Sequence, residues 1–148
     1  MKGSAVTAAV FVVVNPAAGS GRGRALWPRV ANRLRALGID YEFEGTQGPL
    51  SAESFTRQAL RQGVDTVVAV GGDGTFNEVV NGFFSDGAPT RAGASLLMVP
   101  AGSSSDIARG LGLSMGTAAL DVLRHGQTKE IDLGRADYLF QARPMQRY

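Results

Sequence analysis

Short, continuous apolar runs recur along the chain. Residues 10–14, 66–70 and 95–99 are runs rich in valine, leucine and other apolar side chains, and each is about five residues long. Continuous runs of this length, bounded by glycine or proline, are typical of strands buried on both faces of a parallel sheet. Residues 41–44 alternate aromatic and acidic side chains, which indicates a further strand with one exposed face.

Segments with helical spacing separate these runs. Leu26, Val30, Leu34 and Leu37 recur three or four residues apart, and Gly38 follows them, which predicts a helix that ends at the glycine. The remaining patterns predict helices over residues 51–63, 75–84, 105–111 and 117–125.

Alternation of strands and helices predicts an α/β domain, with a parallel sheet covered by helices on both faces. In such a sheet, ligands bind at the carboxyl ends of the strands. Glycine-rich segments follow the strands that end at Val14, Val70 and Val99. The sequence therefore places its three loops of unusual composition at the edge where a ligand site is expected.

The loop Gly71-Gly72-Asp73-Gly74-Thr75 joins a predicted buried strand to a predicted helix. Glycines allow a sharp turn that brings several N–H groups together, and the N-terminus of the next helix also favours an anion. We expect phosphate binding here, with Thr75 and Glu78 forming a capping box at the helix start. A carboxylate beside phosphates is repelled unless a cation lies between them, so Asp73 predicts Mg²⁺.

The other two loops have less specific patterns. Residues 15–24 contain Gly19, Ser20 and Gly21 but lack the Gly-Lys-Ser/Thr end of a P-loop, so Walker-type binding is not expected. Backbone donors of this loop could reach a phosphate, whereas its two arginines could equally be solvated. Residues 100–109 are rich in serine, which fits either phosphate-binding hydroxyls or a helix N-cap.

Composition narrows the classes of function. The 148 residues carry 15 basic and 13 acidic side chains, a net charge of +2, which is too small to predict nucleic-acid binding. There is no cysteine, and the longest apolar run is far shorter than the ~20 residues of a membrane span. We expect a cytoplasmic protein without a transmembrane segment.

Together the three loops resemble the diacylglycerol kinase catalytic domain family, which includes sphingosine and ceramide kinases. Residues 71–82 are similar to the family signature, residues 15–19 to its first ATP motif, and residues 100–109 to its Pro-x-Gly-Thr-x-Asn-Asp-x-Ala-Arg segment. The resemblance implies a three-layer parallel-sheet fold like the N-terminal domains of NAD kinase and diacylglycerol kinase. It also implies ATP contacts at Asn15, Pro16, Ala17, Ala18, Gly19, Thr46, Gly72, Asp73, Gly74, Thr75, Phe76, Asn77, Glu78 and Ser103.

By this resemblance the protein is a lipid kinase that uses ATP and Mg²⁺ and meets its lipid at a membrane surface, and a homodimer is left open. Ser103 stands where the family has threonine, and Ser105 stands where it has asparagine. Family members are about twice as long and carry a second, β-rich domain with the general base. We expect residues 1–134 to be the nucleotide-binding domain, residues 135–148 to begin the connection, and the fragment to be inactive alone.

Two alternatives remain open from the sequence. NAD kinase and phosphofructokinase also carry Gly-Gly-Asp-Gly loops, although residues 77–82 and the serine-rich loop favour a lipid kinase. A non-catalytic nucleotide-binding module is the alternative from a different class.

Overall fold

A computed structural model describes residues 9–102 and 104–148. In chain order its elements are β1 (Val10–Val14), α1 (Ala18–Ala36), β2 (Tyr41–Gly45), α2 (Ser51–Arg61), β3 (Thr66–Gly71), α3 (Asp73–Gly82), β4 (Phe84–Ser85), β5 (Ala88–Pro89), β6 (Ser95–Pro100), α4 (Asp106–Gly110), a 3₁₀ helix (Gly116–Arg124), β7 (Ala136–Phe140) and β8 (Arg143–Arg147).

Four parallel strands form the main sheet in the order β2-β1-β3-β6. Val12 of β1 lies between Phe43 of β2 and Val68 of β3, and Val68 in turn pairs with Leu97 of β6. The central strands β1 and β3 are almost fully buried, which explains why their sequences are continuous apolar runs.

Each face of the sheet has its own hydrophobic layer. Val12 and Val14 of β1 pack with Val30 and Leu34 of α1 and with Leu120 of the 3₁₀ helix. The alternate residues of β1 pack on the opposite face against α2 and α3, with side chains that include Phe11, Val13, Ala59, Leu60 and Val79. Side chains of successive strand residues point to opposite faces, so β1 serves both layers. The predicted three-layer α/β fold is confirmed.

Two departures from the sequence prediction concern the start of α1 and the type of the last helix. Helix α1 is assigned from Ala18, but Gly19, Ser20 and Gly21 have left-handed backbone angles (φ 58°, 59° and 97°), so the regular helix starts only after them. Residues 116–124 form a 3₁₀ helix instead of the predicted α-helix over 117–125.

Two antiparallel hairpins, β4–β5 and β7–β8, stand apart from the main sheet. The β7–β8 hairpin exposes apolar side chains, among them Leu139 at 73% and Phe140 at 59%. Across the part of the chain that the structure describes, every helix is too short or too polar to span a bilayer.

Candidate phosphate-binding site

The loops after β1, β2, β3 and β6 leave the sheet side by side. Strand-like hydrogen bonds continue one residue beyond the strands: Asn15 N donates to Val70 O at 2.8 Å, Thr46 N to Val14 O at 2.8 Å, and Ala101 N to Gly71 O at 2.8 Å. The predicted meeting of the three glycine-rich loops at the carboxyl edge is therefore observed.

Asn15 joins the first loop to α3. Its Nδ2 donates to Oγ1 of Thr75 at 2.9 Å, and its Oδ1 accepts from the N–H of Ala17 at 3.0 Å. Thr75 is buried, and Asn15 is half-buried. The amide thus uses both of its ends to fix the first loop against the start of α3.

Glycines let the backbones of these loops approach closely. A Cβ on Gly19 would lie 2.2 Å from the carbonyl oxygen of Ala101, and one on Gly102 would lie 3.0 Å from the Cα of Gly72. A Cβ on Gly23 would lie 1.9 Å from the carbonyl oxygen of Asn15. No larger residue fits at Gly19 or Gly23, because the atoms met there are backbone atoms that a rotamer change cannot move. At Gly102 a larger residue would require the neighbouring backbone to shift by a few tenths of an ångström.

Helix α3 begins at Asp73, earlier than predicted, with Gly72 as its N-cap. The predicted capping box is wrong. Thr75 accepts a hydrogen bond from Asn15, and Oε2 of Glu78 accepts one from the N–H of Ala52 at the start of α2, at 3.2 Å. Gly72 has no side chain, and no side-chain cap from the described residues covers the N–H groups in the first turn of α3, which is where an anion is stabilised.

Asp73, the first residue of α3, faces the start of α4. Its Oδ2 accepts from the N–H of Asp106 at 3.3 Å. Its Oδ1 is buried and has no hydrogen-bond partner among the described residues. Within residues 9–102 and 104–148, no three His, Cys, Asp or Glu side chains come together as a metal-binding group.

The other predicted site residues occupy varied positions. Phe76 packs with Val80, Met98 and Ala108 in a hydrophobic cluster, whereas Gly74 is exposed. Pro16, Ala17, Ala18 and Thr46 lie at the same edge of the sheet, half-buried or exposed. Asn77 is exposed and donates to Tyr148 O at 3.1 Å. Ser103 lies outside the described residues.

Sequence reasoning did not include Gly23, Gly102 or Ser105 among the predicted site residues. The sequence shows that Gly23 and Gly102 belong to glycine-rich segments, but it does not show which backbone atoms each glycine approaches. Ser105 precedes α4, is 4% exposed, and has an Oγ without a partner among the described residues. The hydroxyl of Ser105 stands at the position where the family pattern has the amide of an asparagine.

Comparisons with known proteins identify the family of the chain. Residues 9–136 match the model of the diacylglycerol kinase catalytic domain. The diacylglycerol kinase of Staphylococcus saprophyticus is 31% identical over 125 residues, which cover 84% of this chain and 40% of that protein. The diacylglycerol kinase of Bacillus subtilis is 29% identical over 128 residues, 85% of this chain and 41% of that protein.

Among solved structures, a diacylglycerol kinase from Bacillus anthracis superposes with a TM-score of 0.70 at 25% identity. The match covers 86% of this chain and 43% of that one, so the chain spans about two fifths of the length of the relatives it matches. The family model covers most of the chain and includes all the strand-end loops described above. The chain belongs to the diacylglycerol kinase catalytic domain family.

Proposed function

We propose that this chain is the ATP-binding part of a lipid kinase that transfers the γ-phosphate of ATP to a lipid hydroxyl at a membrane surface. The observation that carries the proposal is the convergence of the loops after β1, β3 and β6 at the start of α3. Phosphoryl transfer depends mainly on positioning the phosphates and neutralising their charge. Backbone N–H groups at a helix N-terminus are suited to the first of these tasks.

Several predicted residues have backbone groups near this point. Gly19 lies in the first loop, and Gly72 and Gly74 lie at the start of α3, where these two segments meet; we propose that the N–H groups of these glycines bind the phosphates. The N–H of Asn15 already donates to Val70 O, so an ATP contact by Asn15 stays a prediction. Thr75 acts indirectly, since its hydroxyl holds Asn15. The remaining predicted contacts, at residues 16–18, 46, 76–78 and 103, stay predictions.

Asp73 is the residue that we propose for Mg²⁺. Magnesium is commonly bound by one or two carboxylates together with substrate phosphates and waters, and the unpartnered Oδ1 of Asp73 fits such a site. When bound, the ion would neutralise phosphate charge. The carboxylate itself links the start of α3 to the start of α4 by accepting from the N–H of Asp106.

Titration of ATP with and without Mg²⁺ tests this assignment. We expect the wild-type chain to bind ATP more tightly in Mg²⁺, and Asp73→Asn to bind MgATP roughly tenfold more weakly, equivalent to about 1.4 kcal/mol. Metal-free ATP should bind Asp73→Asn at least as well as wild type, because a charge that repels the phosphates is gone. Isothermal titration calorimetry measures both.

Asp86→Asn is the matched control. It makes the same chemical change in the turn between β4 and β5, which follows the C-terminal end of α3. This variant should bind ATP, with and without Mg²⁺, as tightly as the wild type. Equal Mg²⁺ enhancement in wild type and Asp73→Asn would contradict the role of Asp73. No ATP binding by the wild-type chain would contradict the nucleotide site itself.

Transfer to a lipid requires a group that takes the hydroxyl proton as the oxygen attacks the γ-phosphorus and ADP leaves. We propose that this group lies in a further domain and that the chain alone does not turn over. With labelled ATP and diacylglycerol in mixed micelles, the chain should give no labelled lipid. A labelled lipid product would contradict this part of the proposal.

A chimera tests the acceptor. We expect residues 1–134, joined to the part of the Bacillus subtilis relative that follows its matching region, to phosphorylate diacylglycerol, and Asp73→Asn to abolish most of that activity. The unaltered relative is the positive control, and NAD serves as a competing acceptor. A folded chimera that phosphorylates NAD, or that binds ATP and phosphorylates neither acceptor, would overturn the lipid kinase proposal.

A further inference from the structure

The side chain of Asn81 pairs with the backbone of Tyr148 as a neighbouring strand would. Oδ1 of Asn81 accepts from the N–H of Tyr148 at 3.0 Å, and its Nδ2 donates to Tyr148 O at 2.9 Å. Asn81 is only 4% exposed. A buried amide must use its donors and acceptor, and here two of its hydrogen bonds are made to residue 148.

One turn earlier, α3 adds a second donor to the same oxygen. Nδ2 of Asn77 donates to Tyr148 O at 3.1 Å, and Nδ2 of Asn81 also donates to the carbonyl oxygen of Asn77 at 2.8 Å. Residues four apart share one face of a helix. The two asparagines therefore present a continuous row of polar groups to the end of the β7–β8 hairpin.

Helix α2 holds the preceding residue through charge. Arg147 donates to Oε2 of Glu53, while Arg57 donates to Oε1 of the same carboxylate at 2.7 Å. Burial alone would raise the pKa of Glu53, but the hydrogen bonds and charges of the two guanidinium groups outweigh it and lower that pKa. Charge-assisted bonds to a half-buried carboxylate are stronger than exposed ion pairs.

An apolar contact completes the attachment. The ring of Tyr148 stacks on Phe84 with centroids 3.8 Å apart and planes 13° apart. Tyr148 also packs against the hydrophobic cluster that contains Phe76 and Val80 of α3. Backbone, charge and ring contacts thus meet within two consecutive residues, whereas the rest of the hairpin is largely exposed.

We propose that Asn81, with Asn77 and Glu53, forms a docking site for the extended backbone of residues 147–148 and so positions the β7–β8 hairpin against α3. These are positioning residues. Helix α3 also begins at the proposed phosphate site, so docking fixes the distance between the β7–β8 hairpin and that site. This effect on the phosphate site rests on the proposed function, whereas the docking of residues 147–148 does not.

Hydrogen exchange of the hairpin amides tests the docking without ATP. In Asn81→Asp the new carboxylate still accepts from the N–H of Tyr148. It also faces the carbonyl oxygen of Asn77 and the main-chain oxygen of Tyr148, to which Asn81 donates in the wild type. We expect exchange at residues 145–148 to accelerate roughly 10- to 100-fold, the effect of an uncompensated buried polar group. Amides of β1 and β3 should keep their wild-type rates.

Two further variants make the result decisive. Asn32→Asp makes the same change on the exposed part of α1 and keeps the side-chain oxygen that accepts from Arg35. In this control, the hairpin amides should exchange at their wild-type rates. Arg147→Ala removes the bond to Glu53 without altering the core, and should accelerate the same amides roughly tenfold, even if Asn81→Asp does not fold. Unchanged hairpin exchange in Arg147→Ala, or acceleration spread evenly over β1 and β3 in Asn81→Asp, would overturn the proposal.

Discussion

Replacing Gly23 by alanine should destabilise the fold by about 3 kcal/mol, the upper end of the range for overpacking. The new Cβ would lie 1.9 Å from the carbonyl oxygen of Asn15. That oxygen belongs to the backbone, so relief requires α1 to move away from the first loop. The movement would also disturb the bond from Asn15 to Thr75, so ATP binding should weaken in the same variant.

Urea unfolding followed by circular dichroism measures the change in free energy. Gly110→Ala is the control, since Gly110 also lies in a helix but has open space around its Cα. That variant should be neutral or more stable by up to about 1 kcal/mol, as alanine favours helix over glycine. A Gly23→Ala protein as stable as Gly110→Ala would show that the two backbones do not meet as described.

Gly74→Ala is expected to raise the stability of the fold while weakening ATP binding. Gly74 lies in the first turn of α3, is exposed, and would place its Cβ in open space. Alanine there should therefore stabilise the protein by about 0.5–1 kcal/mol. The same methyl group would project beside the N–H groups that we assign to phosphate, so ATP should bind on the order of 100-fold more weakly.

Calorimetric titration and thermal unfolding of the same sample measure both effects. Gly110→Ala again serves as the comparison, because a stabilising helical alanine away from the phosphates should leave ATP affinity at the wild-type value. A Gly74→Ala protein that is more stable and binds ATP normally would contradict phosphate binding at the start of α3. Weaker binding accompanied by lower stability would indicate distortion of the loop.

The strands and the meeting of the loops could be predicted from the sequence because both depend on short-range patterns. A buried run such as Val10–Val14 identifies a parallel strand, and parallel strands end at one edge. The predicted capping box is wrong because the hydrogen bonds of its two residues depend on contacts distant in the sequence. Thr75 and Glu78 have the local spacing of a box, but their hydrogen bonds go to Asn15 and Ala52, partners that no local pattern identifies.

The contact between the β7–β8 hairpin and α3 could not be predicted from the sequence either. Asn81 and Tyr148 are separated by 67 residues along the chain, and an asparagine inside a predicted helix usually faces solvent. Strands β7 and β8 contain too few buried residues to produce an alternating pattern. Residues 116–124 form a 3₁₀ helix where the sequence predicts an α-helix, because the pattern of apolar residues does not specify which hydrogen-bond spacing the helix adopts.

Direct contact between the backbones of Gly19 and Ala101, and of Gly72 and Gly102, has a consequence for the thermodynamics of binding. Loops held by one another have already lost much of the conformational entropy that a free loop would lose when it closes on a ligand. Phosphate binding at this edge would therefore carry a small entropic penalty from the protein, and affinity would depend chiefly on exchanging water for backbone N–H groups.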